Sequence, residues 1–352
     1  MNLYSSKTYL QDLDYTLSKT NLFSDLHNKS VFITGASGLI GSAIVDLLLR
    51  YSELHDGCIT VLAGGRSKTS LLERFCKYTD CSYFHFIPYN ASTSNELNFH
   101  TDYIIHGASN ASPSKIQSNP VETMLDNFCG LQELLTYATK HNVKKTVFIS
   151  SSEVYGTRCT LENKPFLETE YGFIDLLNPR SSYSIGKRAA ETLCASHAYE
   201  HNLPVSIVRP GHIYGPTARP DDNRVASSFA YAASSGKDLV LKSDGSQIRS
   251  YCYMLDCATA ILTVLLHGKP ASAYNISNLD SIISIRNLAE LYAKSGNVKL
   301  SFDLPTTKEK EAFNPMQNSS LDSTSLESLG WIPLFSAPVG TSHTIKILQE
   351  IN

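Results

Sequence analysis

The stretch Ser150-Ser151-Ser152-Glu153-Val154-Tyr155-Gly156 follows the apolar run Val147-Phe148-Ile149. Three hydroxyls and a carboxylate at a strand tip each need a partner if buried. Their crowding there points to chemistry. Further along, Ser182-Tyr183-Ser184-Ile185-Gly186-Lys187 sets Tyr183 and Lys187 four residues apart, hence on one face of a helix. An ammonium beside a phenol favours the phenolate and lowers its pKa. A tyrosine so tuned can take a proton from a hydroxyl while hydride leaves the same carbon. Ser151 would orient that hydroxyl toward Tyr183. Glu153 would lie within reach of the neighbouring carbons, as a base or an electrostatic partner.

A second constellation precedes these. Gly35-Ala36-Ser37-Gly38-Leu39-Ile40-Gly41 follows the strand-like Val31-Phe32-Ile33 and opens an amphipathic helix. Glycines at these spacings give a tight turn, backbone approach to a pyrophosphate, and close helix–strand packing. The helix N-terminus then offers N–H groups to the phosphates. The next strand usually ends in an acidic residue that holds the ribose diol of NAD. Here it ends Gly64-Gly65-Arg66-Ser67-Lys68. A guanidinium at Arg66 suits a 2′-phosphate, so the spacing favours NADP over NAD.

The elements needed to position these groups are legible as an alternation. Short β-branched strands and amphipathic helices follow one another from Ser30 to Pro210, the pattern of an α/β, Rossmann-type, doubly wound parallel sheet. Residues 30–210, with 254–278 returning, read as the dinucleotide-binding domain. Residues 211–253 and 279–352 read as a smaller C-terminal substrate-binding part. Residues 1–29 read as a helical extension whose Leu10, Leu13 and Leu17 form one stripe that docks on the following domain.

Bulk properties exclude several classes. The 352 residues are 42% hydrophobic with a net charge of −3, and the 30 Lys and Arg are scattered, so nothing favours nucleic acid. No apolar run approaches the ~18 residues of a membrane span. The N-terminus lacks the basic start and apolar core of a signal peptide. The eight cysteines, at 58, 76, 81, 129, 159, 194, 252 and 257, form no CxxC and no metal spacing. They read as reduced thiols in a cytoplasmic protein, with no metal expected.

Taken together, GASGLIG, DYIIHGAS, DNFCG, SSSEVYG, SYSIGK, RPGHIYGP, GSQIRSYCYMLD and LDSTSLESLGWIP resemble the extended short-chain dehydrogenase/reductases. Within these they resemble the NAD-dependent epimerase/dehydratase group acting on nucleotide sugars, and most of all its UDP-glucuronate decarboxylases. The resemblance makes Ser151, Tyr183 and Lys187 the catalytic trio, joined by Glu153. It assigns Ser37, Leu39, Ile40, Ala108, Asn127, Pro210 and His212 to the cofactor side, alongside the glycines, Tyr183 and Lys187. It assigns Ser109, Ser152, Gln247 and Arg249 to the nucleotide-sugar side. It also implies a homodimer, in which helices near 119–140 and 182–200 pair through faces such as Leu131, Leu134, Leu135 and Ala138, and a role in surface-polysaccharide precursor synthesis. Related dehydratases carry Asp-Glu where Ser152-Glu153 stands, and epimerases usually lack the glutamate. Three features depart from the decarboxylase pattern: the acidic residue of the NAD site is missing, His212 replaces an asparagine, and the N-terminal segment is extra. An NADPH-dependent reductase of a nucleotide-linked keto-sugar or ketose, or a non-catalytic NADP-binding module, are the alternative readings.

Overall fold

The computed structural model describes residues 2–93, 95–158, 164–303 and 316–352. Cys159 lies outside them; the other seven cysteines are free thiols. Seven strands build the main sheet: β1 (Lys29–Thr34), β2 (Ile59–Gly65), β3 (Phe84–Pro88), β4 (Tyr103–His106), β5 (Lys145–Ile149), β6 (Val205–Pro210), and a strand at Ala273–Ile276 that pairs with β6. Their order places β3-β2-β1 on one side and β4-β5-β6 on the other, every pairing parallel. The order reverses between β1 and β4, and such a switch point opens a crevice at the strands' carboxyl ends. Val31, Phe32, Ile33, Val147 and Phe148 are all buried, since helices cover both faces and remove any reason for alternation.

The helices of this part are α1 (Lys7–Ser18), α2 (Leu39–Leu54), α3 (Lys68–Arg74), α4 (Pro113–Ser118), α5 (Pro120–Lys140) and α6 (Ser182–His201); α2, α3, α5 and α6 pack on the sheet, while α1 lies on α2 and α4 on α5. Leu131, Leu134, Leu135 and Ala138 of α5 are fully buried in one cluster with Phe32, Ile104 and Phe148 of the sheet. That stripe is therefore spent within the chain and is not a free face for a second copy. The apolar residues that α5 does expose lie nearer its start: Val121, Met124, Leu125 and Phe128.

The smaller part contains β7 (His212–Tyr214), α7 (Val225–Ser234), β8 (Leu239–Leu241) and β9 (Ile248–Tyr253). Helix α8 (Met254–His267) returns to the main sheet. There follow β10 (the Ala273–Ile276 strand), β11 (Ile282–Ser284), α9 (Ile285–Gly296), β12 (Leu300–Phe302), β13 (Asn318–Ser319), α10 (Thr324–Glu327) and α11 (Ala337–Glu350). Strand β9 is the spine of a second sheet, paired with β7, β11 and β13. At the start of α8 the buried Asp256 accepts the amides of Leu334 at 2.8 Å and Phe335 at 3.0 Å, tying down the chain before α11.

The N-terminal segment docks as the leucine stripe predicts, with Leu13 buried and Leu10 and Leu17 packed against the core. Its anchors, however, are polar. Tyr4 and Tyr9 donate to the buried Asp46 of α2, which Arg74 of α3 also grips. Asp12 accepts from Tyr253 at 2.9 Å and meets His343 Nδ1 of α11 at 2.8 Å. Ser6 and Thr8 donate to Glu350, Ser6 Oγ at 2.6 Å and Thr8 Oγ1 at 2.7 Å. One short segment thus joins the helix behind the glycine turn to the last helix of the chain.

Candidate active site

The glycine turn is formed by backbone against backbone. Gly35 has φ +70°, and a Cβ there would come 2.7 Å from the Gly107 carbonyl oxygen. A Cβ at Gly41 would sit 2.3 Å from Gly35 O, so any side chain would push α2 off the turn. Gly38 is the N-cap of α2, and Leu39, Ile40 and Gly41 supply its first-turn amides, which have no acceptor within the helix. Ser37 lies in the turn itself. Thr34 Oγ1 accepts from Gly107 N and Ala108 N, each at 3.2 Å, and meets His106 Nδ1 at 2.7 Å. Burial, then the nearby Lys187, depress His106 to about 3, so its imidazole stays neutral. The turns carrying Gly35 and Ala108–Ser109 are thereby locked together at the switch point. This cradle, with a helix N-terminus aimed into it, fits a dinucleotide pyrophosphate. Arg66 is exposed at the far end, just beyond β2.

Ser151 caps a 3-10 turn, Ser152–Tyr155, through its hydroxyl, which accepts Glu153 N at 3.2 Å. That turn points Glu153 back toward the start of α6. There Arg180 binds it bidentately, NH1 to Oε2 and NH2 to Oε1, both at 3.1 Å, and Ser184 Oγ donates to Oε2 at 3.1 Å. Burial opposes the Arg180 cation, yet Glu153 outweighs it and the guanidinium pKa is raised.

Tyr183 is buried between these groups. Burial and the Glu153 carboxylate push its phenol up to about 12, while a hydrogen bond with Ser151 and the cations of Arg224 and Arg180 pull it down. This reverses the direction expected from Tyr183–Lys187 spacing. The reason is chiefly burial; Lys187 Nζ donates to Ile149 O at 2.8 Å and lies 4.7 Å from the Phe148 ring centroid and 5.8 Å from that of Tyr183. Burial lowers Lys187 to about 7, opposed by Glu191. Asn127 of α5 is fully buried against this helix. Its Nδ2 donates to Thr123 O at 2.7 Å, its Oδ1 has no partner among the described residues, and its Cβ faces Gly186.

The smaller part contributes the opposite wall. Pro210 closes β6, and His212 opens β7 with its Nδ1 buried and unpaired among the described residues. Burial, then Arg249 and Arg224, depress His212 to about 3. Arg249 is buried on β9 and donates to Ile248 O at 2.8 Å; no carboxylate lies within ion-pair distance among the described residues. Burial lowers its pKa, opposed by Tyr251 and by Glu153, so the field of Glu153 spans the cleft. Gln247 just precedes β9, its Oε1 buried and unpaired among the described residues. Ser152 is buried.

Comparison with known proteins agrees with this architecture. The NAD dependent epimerase/dehydratase family matches residues 31–277. The chain belongs to that family. It is 30% identical to UDP-glucuronic acid decarboxylase 3 of Arabidopsis thaliana, across 87% of this chain and 85% of that one. To UDP-glucuronic acid decarboxylase 1 of Xenopus tropicalis it is 28% identical, across 93% and 74%. In fold it is similar to UDP-glucuronic acid 4-epimerase of Bacillus cereus, solved with UDP-glucuronic acid and NAD. There the TM-score is 0.76 at 21% identity, covering 92% of this chain and 100% of that one. As members of the family are enzymes, so is this chain.

Sequence reasoning missed Arg180, Ser184 and Arg224, all of which act on Glu153 or Tyr183. Ser184 directly follows Tyr183 and Arg180 stands three residues before it, but nothing local reveals a shared partner 27 and 31 residues upstream. Among the described residues no cluster of His, Cys, Asp or Glu could hold a metal ion, and no helix is long and apolar enough to cross a membrane.

Proposed function

We propose that this enzyme exchanges hydride at a carbon of a nucleotide sugar, with Tyr183 as the proton acid/base, and that its substrate carries a carboxylate. The observation that carries this reading is the convergence of Tyr183, Ser151 and the Arg180-held Glu153 at one strand tip, facing the buried Arg249. Bound in the glycine cradle, a nicotinamide dinucleotide would take hydride from the sugar and return it. Tyr183 accepts the proton of the reacting hydroxyl, Ser151 orients that hydroxyl, and Lys187 supplies positive charge from beneath. A keto group generated beside a ring carboxylate makes loss of CO₂ easy, because the electrons left behind delocalise into the carbonyl. Arg180 and Arg249 offer cations to the carboxylate and the diphosphate, and bidentate guanidinium contacts suit both. The carbon that loses CO₂ takes up a proton from water in its place, and the Glu153 carboxylate orients that water. The decarboxylase relatives support the same substrate class. The product would feed polysaccharide assembly in the cytoplasm.

A second reading rests on Arg66. An exposed guanidinium at the β2 tip, with no acidic neighbour in Gly64–Lys68, suits the 2′-phosphate of NADP and hence a keto-sugar reductase. UDP-, CDP-, GDP- and dTDP-sugars incubated with NAD, NADP or NADPH, and read by mass spectrometry, separate the two. Loss of 44 mass units from UDP-glucuronate, the mass of CO₂, is the expected result; gain of two hydrogens on a keto-sugar supports the reductase. No turnover of any of them refutes the class and favours a binding module. We further propose a homodimer through the exposed Val121, Leu125 and Phe128 of α5. Light scattering at micromolar concentration tests it, and a monomer mass would exclude it.

A further inference from the structure

The catalytic face of α6 does not end at Lys187. Tyr183, Lys187 and Glu191 follow at intervals of four, so Glu191 stands one turn beyond the lysine on the same face. Glu191 is buried and fully bonded. Ser150 Oγ donates to its Oε1 at 2.6 Å, Arg209 Nε donates to Oε1 at 3.0 Å, and Arg209 NH2 donates to Oε2 at 2.6 Å. Arg209 is in turn held by Tyr155 OH at 3.0 Å, Glu168 O at 2.8 Å and Tyr171 OH at 3.1 Å. The carboxylate therefore cannot swing away, and it ties the serine-rich strand tip to the lysine helix.

Burial disfavours the charge of Lys187, and its neighbours only partly restore it. From β4 the neutral His106 faces it, from β5 come the Phe148 ring and the Ile149 carbonyl, and on α6 lie Tyr183 and the buried Cys194 thiol. Glu191 is the carboxylate whose field reaches it, and Ser150 and Arg209 hold that carboxylate in place. We propose that Glu191 is a positioning residue for Lys187: its carboxylate, fixed by Ser150 and Arg209, keeps the buried amine in the charged, donor-only form that points at Ile149 O. The proposal rests on the reading of Lys187 as part of the hydride-transfer site, but the charge of the amine can be measured without any reaction.

The experiment is an NMR titration of ¹³C-lysine-labelled protein, following the Lys187 Cε resonance against pH, assigned by its disappearance in Lys187→Met. Glu191→Gln should move the titration midpoint down by about one pH unit or more, a tenfold fall in proton affinity. Glu191→Asp keeps the charge but draws it back by one methylene, and should move the midpoint down by less. Should one variant fail to fold, the other still decides. An unchanged midpoint in a folded variant overturns the proposal. In turnover, the high-pH limb of Glu191→Gln should fall at lower pH than in wild type, with activity near wild type below it. A uniform loss at every pH marks a purely structural role and refutes the proposal. Wild-type protein inert toward every nucleotide sugar would sink the functional reading instead, and the NMR midpoint would still test Glu191.

Discussion

Arg180 and Glu153 form a two-pronged ion pair, each contact 3.1 Å, whose charges both reach the buried Tyr183. The pair does two opposite things to Tyr183: the carboxylate raises its phenol pKa and the guanidinium lowers it. A substrate carboxylate that drew Arg180 toward itself would leave Glu153 freer to move a proton. The same residues would thus sense the substrate and perform chemistry on it.

Glu153→Gln should separate the two chemical steps. In the decarboxylating reading, substrate still reduces the cofactor but product formation stalls, and absorbance of reduced nicotinamide accumulates in a single turnover with UDP-glucuronate. A simple reductase needs no Glu153, so the loss there would stay under about tenfold, near 1.4 kcal/mol in barrier.

Tyr183→Phe keeps the ring and removes the phenol. Cofactor affinity should hardly change, while turnover drops roughly 10²-fold or more, the usual scale for a general acid/base. Fluorescence titration of cofactor beside steady-state rates measures both. Near-normal turnover would discard Tyr183 as the acid/base.

These readings show what was legible. The strand–helix alternation, the glycine turn and the Tyr183–Lys187 pair depend on spacing within one element, and they could be read from letters alone. The Arg180–Glu153 pair depends on a turn, Pro179–Ser181, meeting another turn, and no periodicity announces it. The stripe of Leu131, Leu134, Leu135 and Ala138 was legible as apolar, but helix-on-sheet and helix-on-partner contacts use the same spacing. The polar anchors Tyr9 and Asp12 were hidden because their partners lie far away in sequence.

Arg66→Ala tests cofactor choice. If the guanidinium grips a 2′-phosphate, affinity for NADP(H) should weaken by about 1.5–3 kcal/mol, the scale of a charged hydrogen bond, and NAD(H) should be spared. Equal losses for both would place Arg66 on the adenine instead. Protein purified with firmly bound NAD would refute the NADP preference.

Asp256 should make stability depend on pH in an unusual direction. Burial raises it to about 7, against the two backbone amides that lower it. Its unfolded value is about 3.9. A folded-state pKa raised in this way stabilises fully below about pH 4, and the benefit is lost as pH rises through about 7. The slope reaches at most about 1.4 kcal/mol per pH unit. Thermal melts of wild type and Asp256→Asn from pH 4 to 8 measure it: wild type should lose ground to the variant as pH rises. A constant difference in melting temperature would show that Asp256 is ionised throughout.

The docking of the N-terminal segment also fixes an order of events during synthesis. Tyr9 can find Asp46 early, since 37 residues separate them. Asp12 must wait for His343, 331 residues later, and Ser6 for Glu350, 344 residues later. The helix can therefore meet Asp46 early, but its contacts with α11 wait until residues 343–350 have been made. Contacts of such long range slow folding, because a large loop must close before they form. Until then Ser6, Thr8 and Asp12 lack these partners on the growing protein, and the two segments meet only when everything between them has been made.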